Sequence, residues 1–133
     1  MRATVFDSYA VLALFFHEPG AERVKEILTD AAGAGRPVLI SAVNWAEVLY
    51  RVAREQGDAG VEDAKRFERT MPVDVVAAEL ALAELAAEYK AAHKMSLADA
   101  FAAALAKQKK AELFTGDPEF KGVEGEIKIG WLK

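Results

Sequence analysis

Short apolar segments alternate with longer amphipathic segments along the chain, and this predicts strands alternating with helices. Short apolar or β-branched runs bounded by turn residues are typical of buried strands, whereas apolar positions spaced three and four residues apart are typical of helices. The predicted strands are Arg2–Phe6, Val38–Ile40, Pro72–Val76, Leu113–Thr115 and Ile127–Trp131. The predicted helices are Ser8–Phe16, Ala21–Ala32, Val43–Glu55, Val61–Arg69, Ala77–His93 and Ser96–Lys110.

This alternation predicts an α/β fold in three layers. About five strands would form a mostly parallel sheet, with helices covering both of its faces. A chain of 133 residues has the size of one domain, and no linker, repeat or low-complexity tract divides it. We therefore expect a single domain over residues 1–133 with one active centre.

Composition restricts the chemistry that this domain can perform. The chain has no cysteine and two histidines, which excludes a thiolate metal site and disfavours a histidine-rich zinc site. Any metal would therefore be held by carboxylates, the ligands of hard cations such as magnesium and manganese. The net charge of −4 argues against nonspecific adhesion to nucleic acid through a broad basic field.

One apolar run, Tyr9–Phe16, has the length of a signal-peptide core. Asp7 lies directly upstream of this run, and no small-x-small cleavage site lies before the turn at His17–Pro19. We therefore do not predict a signal peptide. No stretch approaches the roughly 18 apolar residues that a membrane span requires. We expect a cytoplasmic protein without a membrane segment.

Four acidic residues are predicted to meet at one edge of the sheet. Asp7 directly follows the first strand, and Asp117 follows the fourth strand in the turn Thr115–Pro118. Glu47 lies in the first turns of the helix that leaves the second strand, and Asp99 in the first turn of the helix that leads into the fourth. Functional groups of parallel sheets gather at this carboxyl edge.

The surroundings of two of these acids indicate burial. Asp99 is the only ionisable residue in an apolar stretch that runs from Leu97 to Ala106, and Asp7 also has apolar neighbours. Clustered carboxylates would repel by roughly 1 to 4 kcal/mol per close pair, and a divalent cation removes that repulsion. The pattern favours a magnesium or manganese site that promotes in-line hydrolysis of a phosphodiester.

Each acid also has an ordinary structural explanation. The S-x-x-D pattern ending at Asp99 and the N-x-x-E pattern ending at Glu47 resemble capping boxes, and an aspartate before Pro118 is common in turns. Asp7 has fewer such explanations. One shared site explains all four acids together, so we prefer it.

Three further charged residues lie close to these acids in sequence. Glu119 lies in a polar turn, where solvated side chains are common, and we leave it outside the predicted cluster. Arg51 and Arg54 follow Glu47 on one predicted helix and are within reach of substrate phosphates. Solvated or paired arginines are the more ordinary interpretation.

Four short segments carry the acids and their neighbours: VFDSYAVL at 5–12, SAVNWAEV at 41–48, SLADA at 96–100 and LFTGDPEF at 113–120. In this order and spacing they resemble the PIN-domain superfamily, and in particular the VapC-type toxins of toxin-antitoxin pairs. The resemblance extends along nearly the whole chain. Each segment is weakly specific alone, and their combination is more specific.

The resemblance implies a fold, an activity and partners. It implies a five-stranded parallel sheet with neighbouring first and fourth strands, and a ribonuclease that depends on Mg²⁺ or Mn²⁺. It assigns the catalytic and metal-binding acids to Asp7, Glu47, Asp99 and Asp117. It assigns supporting polar side chains to Ser8, Asn44 and Thr115. It also implies an RNA substrate, a cognate antitoxin protein and a homodimer.

Other functions on a similar sheet are possible alternatives. A noncatalytic PIN-fold module that binds protein or RNA would keep the fold but have a weakened metal site. A haloacid-dehalogenase-like phosphatase needs a second aspartate two residues after the first, where this chain has Tyr9. A receiver-like phosphoacceptor would need a paired acid cluster at the first strand and a lysine after the last, and neither is clear here.

Overall fold

A computed structural model describes residues 2–132 of the chain as strands alternating with helices. The strands are β1 (Thr4–Phe6), β2 (Val38–Ser41), β3 (Val73–Val76), β4 (Glu112–Thr115) and β5 (Lys128–Trp131). The helices are α1 (Ser8–Phe15), α2 (Ala21–Ala34), α3 (Ala42–Thr70), α4 (Leu80–Ala92) and α5 (Leu97–Lys109), with a 3-10 helix at Pro118–Val123. None of the described helices is both long and apolar enough to cross a membrane.

The five strands form one parallel sheet in the order β3-β2-β1-β4-β5. Strand β1 is central and pairs with β4, with Val5 opposite Leu113 and Phe6 opposite Phe114. The predicted parallel sheet and the predicted neighbouring first and fourth strands are therefore confirmed. Because β1 and β4 are adjacent and parallel, the residues that follow their carboxyl ends are neighbours in space.

Hydrophobic cores lie on both faces of the sheet. Alternate residues of a strand point to opposite faces, and accordingly Val5 packs with α4 and α5, whereas Phe6 packs with α1, α2 and α3. Helix α5 is buried from Asp99 to Ala106, in agreement with its nearly all-apolar sequence. The predicted three-layer arrangement is confirmed.

Helix α3 differs from the prediction. The sequence predicted two helices, Val43–Glu55 and Val61–Arg69, whereas the structure has a helical segment from Ala42 to Thr70 that is interrupted only at Gly57. Gly57 has φ 67° and ψ −161°, a conformation that glycine adopts without the steric cost of a Cβ. One residue thus makes the kink that we predicted as a longer break.

Two further boundaries were wrong. The predicted helix Ala77–His93 begins only at Leu80, because residues 77–79 form an extended connection after β3. The segment after β4 was predicted as a turn, and it forms the 3-10 helix Pro118–Val123. Asp117 caps this helix, and Pro118 occupies its first position. A backbone N–H at that position would have no partner within the helix, so proline, which lacks the N–H, loses no hydrogen bond there.

Candidate metal and active site

Asp7 connects the ends of the two central strands. It follows β1 and caps α1, because its Oδ1 accepts a hydrogen bond from the Ala10 N–H at 2.9 Å. Its Oδ2 accepts a hydrogen bond from the Thr115 hydroxyl at 2.5 Å. Thr115 ends β4, and its Oγ1 also accepts from the Asp117 N–H at 3.0 Å. Thr115 therefore joins Asp7 and Asp117 through one hydroxyl.

Three carboxyl groups converge beside this connection. One carboxylate oxygen from each of Asp99, Asp117 and Glu119 lies within 4.8 Å of the other two. Asp117 is oriented by its capping role, since its Oδ1 accepts from the Glu119 N–H at 2.9 Å. Asp99 lies in the first turn of α5, where Ser96 caps the helix by accepting from the Asp99 N–H at 3.1 Å.

Glu47 joins this cluster from α3. It lines a pocket of about 360 Å³ together with Asp99, Asp117 and Glu119. Its charge also acts on Asp99, whose pKa it helps to raise. Five acidic residues line this pocket, the fifth being Glu18, against one basic residue, Arg51. The pocket is therefore strongly anionic and suits a cation.

The pKa values of two acids at this edge are raised by burial and by the neighbouring negative charges. Asp7 is fully buried, and the loss of water around it raises its pKa from 3.8 to about 7, with Asp99 and Asp117 adding repulsion. Burial also raises the pKa of Asp99 from 3.8 to about 7, with the charges of Asp117 and Glu47 contributing. A nearby positive charge would lower the pKa of a carboxyl group, whereas the pKa values of these two are raised. The negative charge of the cluster is therefore not offset by the neighbouring side chains.

A buried polar network holds α1, α3 and α5 together behind the acids. Asn44 is fully buried, and its Nδ2 donates to Ser8 Oγ and to the Ala98 carbonyl, at 3.1 Å in both cases. Its Oδ1 accepts from the Ser41 hydroxyl at 2.5 Å. Ser8 in turn donates to the Asn44 carbonyl at 3.3 Å. These bonds fix the helices that carry Glu47 and Asp99.

The structure brings the four predicted acids to the same edge of the sheet, but of these four only Asp99 and Asp117 belong to the group of carboxylates within 4.8 Å of one another. Asp7, Asp99 and Asp117 interact through their charges, and Glu47 acts on Asp99 from the pocket wall. Asp7 does not line the pocket, because its side chain is fully buried. The predicted supporting residues are also adjacent: Thr115 bonds to Asp7, and Ser8 bonds to Asn44.

Two interpretations from the sequence need correction. Glu119 was left outside the cluster, yet its carboxylate is among the three that converge. The D-P-E turn, in which a proline after the capping Asp117 starts a helical turn, gave no sequence signal that distinguishes it from a solvated loop. The N-x-x-E pattern at Glu47 is not a capping box, because Ser41 caps α3 by accepting from the Asn44 N–H at 3.0 Å.

Gly116, which lies between Thr115 and Asp117 in the chain, leaves room for the Tyr9 ring. A Cβ at Gly116 would overlap the ring, which lines the pocket. We expect Gly116→Ala to lower the free energy of unfolding by about 1–3 kcal/mol through overpacking. Urea denaturation would measure this change. Gly33→Ala is the control, since a Cβ there meets nothing within 4 Å, and unchanged stability of Gly116→Ala would contradict the expectation.

Comparison with known proteins places this site in a family. The model of the PIN domain matches residues 4–126, which include all of the acids described above. The chain belongs to the PIN-domain family. No curated protein gives a significant match to the sequence.

Solved structures share the PIN fold of this chain at low sequence identity. DNA-bound VapBC from Salmonella typhimurium superposes with a TM-score of 0.81 at 16% identity, over 100% of both chains. VapC20 from Mycobacterium tuberculosis, described as a Sarcin-Ricin loop cleaving toxin, has a TM-score of 0.73 at 20% identity, over 91% of this chain and 95% of that one. A toxin-antitoxin complex from Klebsiella pneumoniae gives 0.70 at 21% identity, over 98% of both chains.

The PIN-domain match extends across the carboxyl edge from β1 to the segment beyond the 3-10 helix. The acids of this edge come from four separated parts of the chain, at Asp7, Glu47, Asp99 and Asp117–Glu119. Only the order of the strands and the crossing of α3 and α5 bring them together. The PIN fold is therefore what assembles the anionic pocket of this protein.

Proposed function

We propose that the chain is a metal-dependent endoribonuclease and the toxin of a VapBC-type toxin-antitoxin pair. The catalytic and metal-binding acids would be Asp7, Glu47, Asp99 and Asp117, and the cofactor Mg²⁺ or Mn²⁺. The observation that carries this proposal is the anionic pocket, in which three carboxylates lie within 4.8 Å of one another. The pKa values of Asp99 in the pocket and of the buried Asp7 beside it are both raised.

The donor set of the pocket fits a hard divalent cation. All of its acidic ligands are carboxylate oxygens, which magnesium and manganese prefer, and the chain offers no thiolate. Asp7, Glu47, Asp99 and Asp117 would hold the cation, with Glu119 as a further ligand. When bound, the cation supplies charge neutralisation for the phosphodiester and acidifies water for attack at phosphorus.

The chain's own side chains prepare this pocket. Thr115 donates to Asp7 and keeps one carboxylate oxygen aligned, and Ala10 does the same for the other oxygen. Both hydrogen bonds lower the pKa of Asp7 and oppose the effect of burial. They therefore favour the ionised form that a cation requires.

The proposed partners are an RNA substrate, a cognate antitoxin and a second copy of the chain. Two structural neighbours support the first two, since VapC20 is a Sarcin-Ricin loop cleaving toxin and the Klebsiella pneumoniae structure is a toxin-antitoxin complex. The homodimer and the cytoplasmic location rest on the resemblance and the sequence. A noncatalytic PIN module is the alternative function.

Cleavage of total cellular RNA by the purified protein tests the proposal. We expect cleavage with magnesium or manganese and none with EDTA, because the carboxylate cluster requires a counter-charge. Asp99→Asn should remove the activity, whereas the exposed control Asp74→Asn should retain it. Tight manganese binding by calorimetry without cleavage of any RNA would contradict the nuclease and favour the noncatalytic module.

A further inference from the structure

Helix α3 carries an unusual exposed aromatic side chain close to the anionic pocket. Tyr50 is 56% exposed and is the only aromatic residue among the exposed large hydrophobic side chains of residues 2–132. It lies three residues after Glu47, so the two side chains project from neighbouring positions of one helix face. An exposed aromatic ring beside a proposed phosphodiester site is a ready surface for a nucleobase.

The ring of Tyr50 is held in place by Arg54, one turn further along α3. Arg54 Nη1 donates to the Tyr50 hydroxyl at 2.7 Å, and its guanidinium lies 5.4 Å from the centre of the ring. Both side chains of this pair are exposed, so an aromatic ring and a guanidinium group are available to a ligand in solvent. Single-stranded RNA is commonly bound by stacking of its bases on aromatic rings and arginine planes.

Arg51 follows Tyr50 on α3 and reaches the pocket of acids. It is half-buried and is the single basic residue that lines the pocket. No hydrogen bond or ion pair of its side chain is found among residues 2–132. Glu47, Tyr50, Arg51 and Arg54 follow one another at helical spacing along about 10 Å of the α3 axis. The face therefore changes from anionic to cationic and aromatic with distance from the pocket.

We propose that Tyr50 and Arg54 form a base-stacking subsite for an unpaired RNA nucleotide next to the cleaved phosphodiester. Arg51 would bind the phosphate between that nucleotide and the cleavage site. This inference rests on the proposed nuclease function and defines part of its substrate: the RNA is single-stranded where it crosses α3. Because every base has a π face, stacking tolerates different sequences, whereas Arg51 contacts only the backbone.

Binding of short single-stranded oligoribonucleotides to an Asp7→Asn background, in the presence of magnesium, tests the subsite without turnover. One oligonucleotide series carries 2-aminopurine at successive positions, and a second series carries an abasic nucleotide. At one position we expect 2-aminopurine fluorescence to be quenched on binding. Tyr50→Ala should abolish that quenching and weaken binding about tenfold, the typical effect of losing one base stack.

The abasic series makes the assignment specific. Removing the stacked base should weaken binding about tenfold when Tyr50 is present and have little further effect in Tyr50→Ala, because both changes remove the same contact. Tyr50→Phe keeps the ring and should retain most of the quenching. Arg66→Ala is the control, since Arg66 lies on α3 beyond the kink and pairs with Asp63 at 2.9 Å. Its binding should equal that of the background protein.

The outcomes separate this subsite from the nuclease itself. If the wild-type protein cleaves RNA but Tyr50→Ala and the background protein show equal binding and quenching, the subsite is wrong and the nuclease function stands. Tyr50 would then be assigned to a protein contact. If wild-type protein neither binds nor cleaves RNA with any metal, the proposed function fails and the subsite fails with it.

Discussion

Replacing Asp7 with asparagine is expected to abolish metal-dependent cleavage and, at the same time, to stabilise the metal-free protein above pH 7. The activity should fall by more than about a hundredfold, since even outer partners of metal ligands contribute factors of 10 to 100. The pKa of the fully buried Asp7 is raised to about 7, so at higher pH the wild-type protein must bury an ionised carboxylate, which is unfavourable. The free energy of unfolding should therefore rise on substitution. Asparagine carries no charge there.

Asparagine can retain the hydrogen bonds of the position. Its Oδ1 would accept from the Ala10 N–H, so the cap of α1 is kept. Its Nδ2 would donate to Thr115 Oγ1, which also accepts from the Asp117 N–H and has two lone pairs. The substitution therefore removes charge with little change in packing. A rise of this pKa from 3.8 to about 7 corresponds to a gain on the order of 4 kcal/mol.

Urea denaturation in EDTA above pH 7 would measure the stability, and cleavage of total RNA with magnesium would measure the activity. Asp74→Asn is the matched control, because it removes an exposed carboxylate from the neighbouring part of the sheet. It should change neither quantity appreciably. A destabilised Asp7→Asn protein would show that the carboxylate contributes favourable contacts that outweigh its desolvation, contrary to the expectation.

The sequence predicted the sheet and the four acids because both depend on local pattern. Strand β1 ends directly before Asp7, β4 ends two residues before Asp117, and Asp99 interrupts an otherwise apolar stretch of helix. A buried carboxylate in such surroundings has few structural explanations. Chain position relative to the strand ends was then sufficient to predict that Asp7, Asp99 and Asp117 meet.

Glu119 could not be predicted in this way because its position depends on backbone geometry beyond β4. The 3-10 helix forms when Asp117 accepts from the Glu119 N–H and Pro118 fixes the first turn. That turn brings the Glu119 carboxylate towards Asp99, far away in sequence. Neither periodicity nor composition distinguishes this turn from a solvated loop, in which Glu119 would be an ordinary surface residue.

Helix α3 shows a different limit of sequence patterns. Two glycines between the predicted helices favoured a loop, yet only Gly57 leaves the helical conformation. Gly60 is buried against the helix, where a Cβ would overlap the side chains of Gln56 and Val52. Gly57 is therefore needed for its backbone conformation, and Gly60 is needed because there is no room for a side chain. The sequence contains both residues but does not show which role each has.

The stability of the metal-free protein is expected to decrease as pH rises from about 4 to about 7, and bound metal should remove that dependence. The pKa of both Asp7 and Asp99 is about 7 in the folded protein, whereas an aspartate free in water has a pKa of 3.8. Between these values the folded state binds more protons than the unfolded state. Stability from these groups is therefore complete below the lower value and is lost as pH rises through the upper one.

Manganese should reverse this trend because it binds the deprotonated carboxylates. Its apparent affinity rises with pH, and metal at about a hundredfold excess over its dissociation constant adds roughly 2.7 kcal/mol of stability. Thermal or urea unfolding at several pH values, with EDTA and with manganese, would compare the two slopes. Asp7→Asn should show a shallower slope in EDTA than the wild-type protein. Equal slopes in EDTA and manganese would mean that the ion does not bind at these carboxyls, and the pocket would then have to balance its charge through protons alone.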